Sequence, residues 1–507
     1  MSQTLVAPSP PGDPPAGSAA KPHPVDEVLP PQRLFTLGVQ HLFIMYAGAV
    51  AVPLIVGPAV GLGKADIGIL IGADLIVSGI CTIIQSVGLG KLFGVRLPVV
   101  AGATFTVLSP MIAIAKNYGL PAVYGAMIVS GVFGLLIAKP FSTILRFFPP
   151  LVTGTVIAVI GLSLIGADVG LIAGNDPTSP SFGAVSHIAL AGFVILMIVV
   201  ITRLFTGFVS QIAVLLAIVA GTLLAWPMGL LDFSSVGPAA WFGGPKIFHF
   251  GTPVFKVSAI VSMCIVILVT YTESTADMLA VGEMVDRDVS PADLARGLRT
   301  DGLSALLAGF TNSFPDTAYA ENVGIVGMTG VRSRWVVSVC GVLLLVLGLV
   351  PKVGQVIADI PGPVIGGAAT VMFAMVTAIG IRTLHKVNFD GNHNLLIIAV
   401  SLSVGLIPAV SPTFYKQFPQ NFQVIFGSSI TSTVVVVFLL NLVFNHWVRI
   451  PPRTGPIRTA LAHGAVTGDA AGPDPVAGAP ATMRAPPPID RPVLPGSRPP
   501  PGPLPSG

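Results

Sequence analysis

Long apolar runs separated by short polar loops fill the chain from about residue 34 to residue 447. Fourteen can be delimited, among them 34–57, 66–86, 208–230 and 256–281, and many have the roughly 17 to 25 residues that a spanning helix needs. Two runs break the pattern. LPVVAGATFTVLSP at 97–110 and TNSFPDTAYAENVG at 311–324 carry prolines and are too rich in small and polar residues for a lipid-facing helix. Broken backbone at membrane depth is tolerated only where it is buried in protein or lines a cavity.

The two halves echo each other. FFPPLVTGTVIAVIG at 147–161 resembles DIPGPVIGGAATVMF at 359–373, an offset of 212 for Val152 and Val364. A similar offset sets the two interrupted runs opposite one another. Seven spans per half is an odd number, so the second copy enters the membrane upside down. Paired interruptions in inverted halves point to a transporter's midplane site.

Composition agrees. Of 507 residues, 53% are hydrophobic and 9% charged, against roughly 25% charged in soluble domains. The three cysteines, Cys81, Cys264 and Cys340, lie in apolar runs with no CxxC pair, so buried thiols are expected. One alternate set of loops holds twelve basic residues, every loop arginine among them, and the other holds six lysines. That asymmetry puts the first set, and both termini, in the cytoplasm. Residues 1–30 and 451–507 are proline- and glycine-rich and read as disordered tails around a transporter domain at 31–450. No apolar core follows the start methionine, so no signal peptide is expected.

Ionisable residues inside the runs are few, and each costs about 2.5 to 3.5 kcal/mol at bilayer depth. VTYTESTADMLAVGE places Glu273 and Asp277 four apart, on one helix face. Glu321 and Asn322 follow the second interrupted stretch, Gln40 and His41 lie in the first run, Asp301 starts the ninth, and Asp74 lies in the second. Two carboxylates such as Glu273 and Glu321 in one cavity cannot cheaply both be ionised. One protonated and one ionised carboxyl offer a donor beside acceptors, which suits a flat ring with N–H and carbonyl groups, as in a nucleobase. Phe105 supplies a stacking face. His41 reads as an interhelical hydrogen bond rather than a proton carrier, and Asp316 is ambiguous, because it could cap the half-helix that follows Pro315. GLGK at 61–64 lacks the glycine and the Ser/Thr of a phosphate loop, and no HExxH, GxSxG or His/Cys cluster occurs. No enzyme, metal, cofactor or nucleic-acid partner is expected.

ENVGIVGMTG at 321–330 resembles the signature of the nucleobase–ascorbate transporter family, or nucleobase:cation symporter-2 family. That signature runs Gln, Glu or Pro; Asn; any residue; Gly; four residues; Thr; then Arg, Lys or Gly. Glu321, Asn322, Gly324, Thr329 and Gly330 meet it, Gln40–His41 is similar to a second hallmark, and TESTAD at 272–277 to the eighth-span carboxylate motif. The likeness covers roughly residues 30–450.

The resemblance implies an all-α polytopic fold of about fourteen transmembrane segments in two inverted seven-span repeats. Spans 1–4 and 8–11 (about 31–140 and 256–350) would form a core. Spans 5–7 and 12–14 (about 141–255 and 351–450) would form a gate. Short strands in the third and tenth spans would meet at the substrate. By motif position Glu273 and Glu321 bind the base, Phe105 stacks on it, and Ala320 and Thr104 give backbone contacts. Asp277, with Glu273 and Asp301, matches proton coupling; Asn322, His41, Gln40, Gly324 and Thr329 support the site.

The expected activity is proton-coupled nucleobase import across the bacterial cytoplasmic membrane by alternating access, with a homodimer surrounded by lipid. Sodium is the lesser choice of ion. Glu321 is typical of uracil-type members, whereas NSFPDTAYAENVG, TGVRSR and Asp277 look closer to the xanthine and urate branch. The reading is therefore an oxidised purine, with uracil as the alternative. A channel, or an anion transporter of the same fold, is less favoured because carboxylates occupy the site.

Overall fold

The computed structural model describes residues 23–144, 149–174, 178–390 and 392–447. Helix α1 spans Pro31–Ala59 and α2 spans Lys64–Val87. The chain then runs extended into strand β1 (Ala101–Ala103), a 3-10 turn (Phe105–Val107) and α3 (Leu108–Tyr118). Next come α4 (Leu120–Ile144), α5 (Pro150–Ala173), α6 (Val185–Leu204), the single turn α7 (Phe208–Gln211) and α8 (Ala213–Ala225). The second half opens with α9 (Val257–Met284) and α10 (Pro291–Thr311), then strand β2 (Asp316–Ala318) and α11 (Ala320–Thr329). It closes with α12 (Arg334–Gly348), α13 (Pro351–Ala358), α14 (Gly362–Leu384), α15 (Asn394–Val410), α16 (Gln420–Phe426) and α17 (Ser429–Asn441).

Local chemistry sets these boundaries. Proline opens α1, α5, α10 and α13, where its missing N–H costs nothing. Ser290 and Asp293 form a reciprocal capping box on α10. Helices α3 and α11 stop at Gly119 and Gly330, whose φ of 82° and 65° would strain any side chain.

Among the described residues eight helices are long and apolar enough to cross a membrane, or nine if α12 and α13, bent by 82°, make one span. The other expected crossings fall on shorter or more polar elements. Helices α8 and α15 are short, α10 carries Asp293, Arg296, Arg299 and Asp301, and the third and tenth runs are each divided between a strand and a half-helix. Helix α6 turns Val185, Ile188, Leu196 and Val199 outward, as a lipid-facing helix does.

Packing follows the duplication. Helix α2 lies on α12 and α4 on α10; α1 lies on α12 and α4 on α9; α6 pairs with α8 and α15 with α17. Each partnership maps onto the other when the halves are exchanged, and α5 and α14, the segments with matching sequence, pack on each other. The α2–α12 seam is built from small residues. A Cβ on Gly79 would stand 2.7 Å from the Gly341 carbonyl oxygen, so the backbones meet directly.

Within the stretch that composition assigned to the N-terminal tail, a 3-10 turn at Pro24–Asp26 packs on the helices. Val25 is fully buried, Asp26 accepts from Arg334 Nε at 2.7 Å, and Ser333 Oγ donates to the Glu27 carbonyl at 2.6 Å. Proline-rich composition hid this because the partners lie some 300 positions away. Residues 1–22 and the C-terminal tail at 451–507 lie outside the described residues.

Candidate functional site

Strands β1 and β2 pair antiparallel, Ala101 with Ala318, Gly102 with Thr317 and Ala103 with Asp316. The ribbon is extended at both ends, by Tyr319 N–H to the Val100 carbonyl (2.9 Å) and Thr104 N–H to the Pro315 carbonyl (3.1 Å). The antiparallel register makes α3 and α11 leave from opposite ends of it. Thr104 and Phe105 stand at the start of one half-helix and Ala320 and Glu321 at the start of the other. Helix N-termini leave backbone N–H groups unpaired and carry partial positive charge.

Helix α9 brings the carboxylates to this ribbon. Glu273 accepts from Thr106 Oγ1 at 2.7 Å and from Thr104 Oγ1 at 3.2 Å. Ser274, beside it, shares a hydrogen bond with Thr317 Oγ1 at 2.6 Å and accepts from Ala318 N–H at 3.0 Å. Those two bonds fix α9 against β2. One turn on, Asp277 lies within electrostatic reach of Glu273, Glu321 and Asp301. Asp301 accepts from Gln85 Nε2 at 3.1 Å; Gln85 also donates to Gly297 O and accepts from Val95 N–H. Gln85 thus joins α2, α10 and the stretch before β1.

Glu321 opens into a cavity of about 580 Å³ shared with Ile44, Ala47 and Gly48 of α1, Tyr319, and Met372 of α14. That volume suits a small ligand. Among the described residues the one basic side chain on its wall is Arg203, at the end of α6. Behind Glu321, Asn322 Nδ2 donates to the His41 carbonyl at 2.9 Å and lies 3.1 Å from His41 Nδ1. Phe105 is 8% exposed and meets Phe373 of α14 edge-on, with ring centroids 5.5 Å apart.

The structure therefore gathers Thr104, Phe105, Glu273, Asp277, Asp301, Ala320 and Glu321 around the strand ribbon, with His41 and Asn322 behind it. Gln40 is half-buried next to His41. Gly324 and Thr329 stand apart. Thr329 Oγ1 donates to Ile325 O at 2.7 Å and accepts from Val331 N–H at 3.3 Å, which closes α11, and a Cβ on Gly324 would meet only Gln211, at 4.0 Å. Asp316 caps no helix. It pairs with Ala103 of β1, its carboxylate accepts from Ser78 Oγ at 2.9 Å, and its N–H donates to Ser304 Oγ at 2.7 Å. Strand pairing used the residues expected to begin the half-helix, which starts instead at Ala320. Thr106, Ser274, Thr317 and Gln85 were not singled out by the sequence. The Thr-Phe-Thr alternation at 104–106 is the one signal that marks any of them. Among the described residues no group of His, Cys, Asp or Glu side chains has metal-holding geometry.

Residues 32–414 match the family model described as Permease family (Xan_ur_permease). The chain belongs to this family. The match bears out the nucleobase–ascorbate transporter resemblance and makes the protein a permease, a membrane-embedded transporter rather than an enzyme. Among curated relatives, this permease is 42% identical to the uric acid transporter UacT of Escherichia coli (strain K12), over 83% of this chain and 88% of that protein. It is 42% identical to the uric acid permease PucK of Bacillus subtilis (strain 168), over 81% and 95%. The xanthine permease of the same strain is 40% identical, over 82% and 94%. Among solved structures, the transmembrane domain of a cyanobacterium bicarbonate transporter, BicA, shares the fold at 15% identity and TM-score 0.53, over 80% of this chain and 96% of that one. The murine anion transporter Slc26a9 in its inward-facing state does so at 12% and 0.54, over 82% and 68%.

Proposed function

We propose that this permease imports an oxidised purine, xanthine or urate, together with a proton. What carries the reading is the combination of Glu273, clasped by Thr104 and Thr106, with relatives about 40% identical that are named as uric acid and xanthine permeases. Glu273 and Glu321 read the ring N–H and carbonyl groups, Phe105 stacks on the base, and backbone at Ala320 and Thr104 completes the contacts. Glu273, Asp277 and Asp301 carry or relay the proton. Spans 1–4 and 8–11 act as a core holding the site, and the remaining spans act as a gate that rocks against it. A homodimer with cytoplasmic termini completes the proposal.

For a base carried in its neutral form the membrane potential is an adequate driving force: one proton's charge crossing 100 mV supplies about 2.3 kcal/mol, which at about 1.4 kcal/mol per factor of ten concentrates a substrate roughly 50-fold. A base carried as an anion with one proton moves no net charge and draws on the pH gradient instead. Uracil is the second reading, supported by Glu321, the residue typical of uracil-type members. Uptake of radiolabelled xanthine, urate and uracil, each with and without a protonophore, tests both. Protonophore-sensitive purine uptake supports the first; sensitive uracil uptake supports the second; uptake indifferent to the protonophore removes proton coupling.

A further inference from the structure

A second cavity, of about 550 Å³, lies between α1 and α3 on one side and α5 and the ends of α15 and α16 on the other. Its wall carries Lys116 from α3 and Lys416 from the loop after α15. No carboxylate lines it, and neither ammonium is paired with an acidic residue among the described residues. Both lysines belong to the loop set that the arginine distribution assigns to the outer face. The cavity reaches inward along α3 as far as Ser109, one helical turn beyond Phe105. At 1.5 Å per residue, Lys116 stands about 12 Å along α3 from Leu108, where the 3-10 turn that carries Phe105 ends.

The inner site has the opposite sign: Glu273, Asp277, Asp301 and Glu321 surround the strand ribbon. A ligand held there by carboxylates is not drawn in by them if it arrives as an anion. Urate is an anion at neutral pH because its ring N–H groups are acidic, whereas xanthine is largely neutral in mildly acidic buffer. We propose that the Lys116–Lys416 cavity is an outer recruitment site that captures purine substrates in their anionic form before they reach the carboxylate site. This rests on the purine-import reading above. A cleft lined by one sign of charge concentrates counter-ions and speeds their association by about 10-fold or more, an effect that salt weakens.

The test is initial uptake of radiolabelled urate and xanthine by cells expressing the full chain, in one mildly acidic buffer at low and high ionic strength. In the wild type, added salt is expected to raise the KM for urate more than that for xanthine. Lys116→Gln with Lys416→Gln should raise the ratio of urate KM to xanthine KM by about 3- to 10-fold at low salt, within the range of such steering. Lys→Arg at both positions should restore it. Surface protein is quantified in parallel; if the double variant fails to reach the membrane, the single variants, each giving part of the shift, and the wild-type salt series carry the test. A ratio that neither salt nor the lysine substitutions move overturns the recruitment site and leaves purine import standing. Wild-type cells that import xanthine but not urate overturn the recruitment site alone, and cells that import no purine overturn both.

Discussion

The Thr106 hydroxyl donates to Glu273 Oε1 across 2.7 Å, joining the interrupted third run to the carboxylate helix 167 positions away. Thr104 holds the other carboxylate oxygen at 3.2 Å, so the Glu273 side chain has one orientation relative to β1. A hydrogen bond to a charged group is worth about 1.5–3 kcal/mol. Thr106→Val keeps the shape and removes the donor, so Vmax/KM for the imported base is expected to fall about 10-fold or more, while Thr106→Ser stays near wild type. Uptake kinetics normalised to surface protein check this. Wild-type transport by Thr106→Val would remove Thr106 from the site.

Tyr319 is wedged between two glycines. A Cβ on Gly48 of α1 would collide with its hydroxyl, and one on Gly102 of β1 would stand 2.9 Å from its ring edge. The Tyr319 ring is buried, and its hydroxyl meets no hydrogen-bond partner among the described residues. Overpacking of this kind costs about 1–3 kcal/mol. Gly48→Ala is expected to lower the Tm of the detergent-solubilised protein and to impair uptake. Adding Tyr319→Phe, which removes the colliding atom, should recover part of both. A Gly48→Ala protein with unchanged Tm would show that the ring has room to move.

Much of this was legible because the relevant signals are local. Apolar length announced a membrane protein, and the offset between Val152 and Val364 announced the duplication. The broken runs announced an enclosed site, since a polar, proline-bounded stretch at that depth must be buried in protein or line a cavity; the strands themselves came only with the family resemblance. The site carboxylates showed themselves by the cost of placing them there. What stayed hidden is the set of neutral hydroxyl and amide groups. Ser274, Thr317 and Gln85 are inexpensive in a membrane helix when hydrogen-bonded, so nothing in the chain marks them before their partners are known. Asp316 stayed ambiguous for a related reason: a short acidic residue after proline can cap a helix, and the strand pairing that claims it depends on residues 97–110. The packed turn at His23–Asp26 was lost in a proline-rich composition.

Asn322 and His41 make one unit. The amide Nδ2 reaches both the backbone oxygen and the Nδ1 of His41, and this fixes the first turn of α11 to α1 just behind Glu321. Asn322→Ala removes two contacts at a site buried to 1% exposure. It removes the side-chain bond that ties the His41 carbonyl of α1 to α11, a loss of about 0.5–1.5 kcal/mol. Uptake is expected to drop at least about 10-fold, with protein level preserved, because the bond orients Glu321 rather than holding the fold together. Asn322→Asp places a carboxylate against the His41 carbonyl and should fare worse than alanine. If Asn322→Asp transports better than Asn322→Ala, the carbonyl bond is not the one that matters.

Arg334 ties the N-terminal turn to the helix ends. Its Nε donates to Asp26 at 2.7 Å, its guanidinium also donates to the Ser86 and Val87 carbonyls at 2.8 and 3.0 Å, and it stacks over Trp335 at 4.5 Å. The two carbonyls end α2, where no intrahelical donor remains for them. Asp26 is 39% exposed and its ion pair with Arg334 resembles a surface pair, worth about 0–1 kcal/mol. Capping two carbonyls from a largely buried side chain is worth more, about 1–3 kcal/mol when lost. Arg334→Ala is therefore expected to lower the Tm of solubilised protein several-fold more than Asp26→Ala. Arg334→Lys, which lacks the planar fork, should fall nearer to alanine than to wild type. Tm by intrinsic tryptophan fluorescence reads the order directly, and Trp335 lies beside the substituted residue. If Asp26→Ala costs as much as Arg334→Ala, the guanidinium acts chiefly by docking the N-terminal turn, and the carbonyls of α2 find other donors when it is gone.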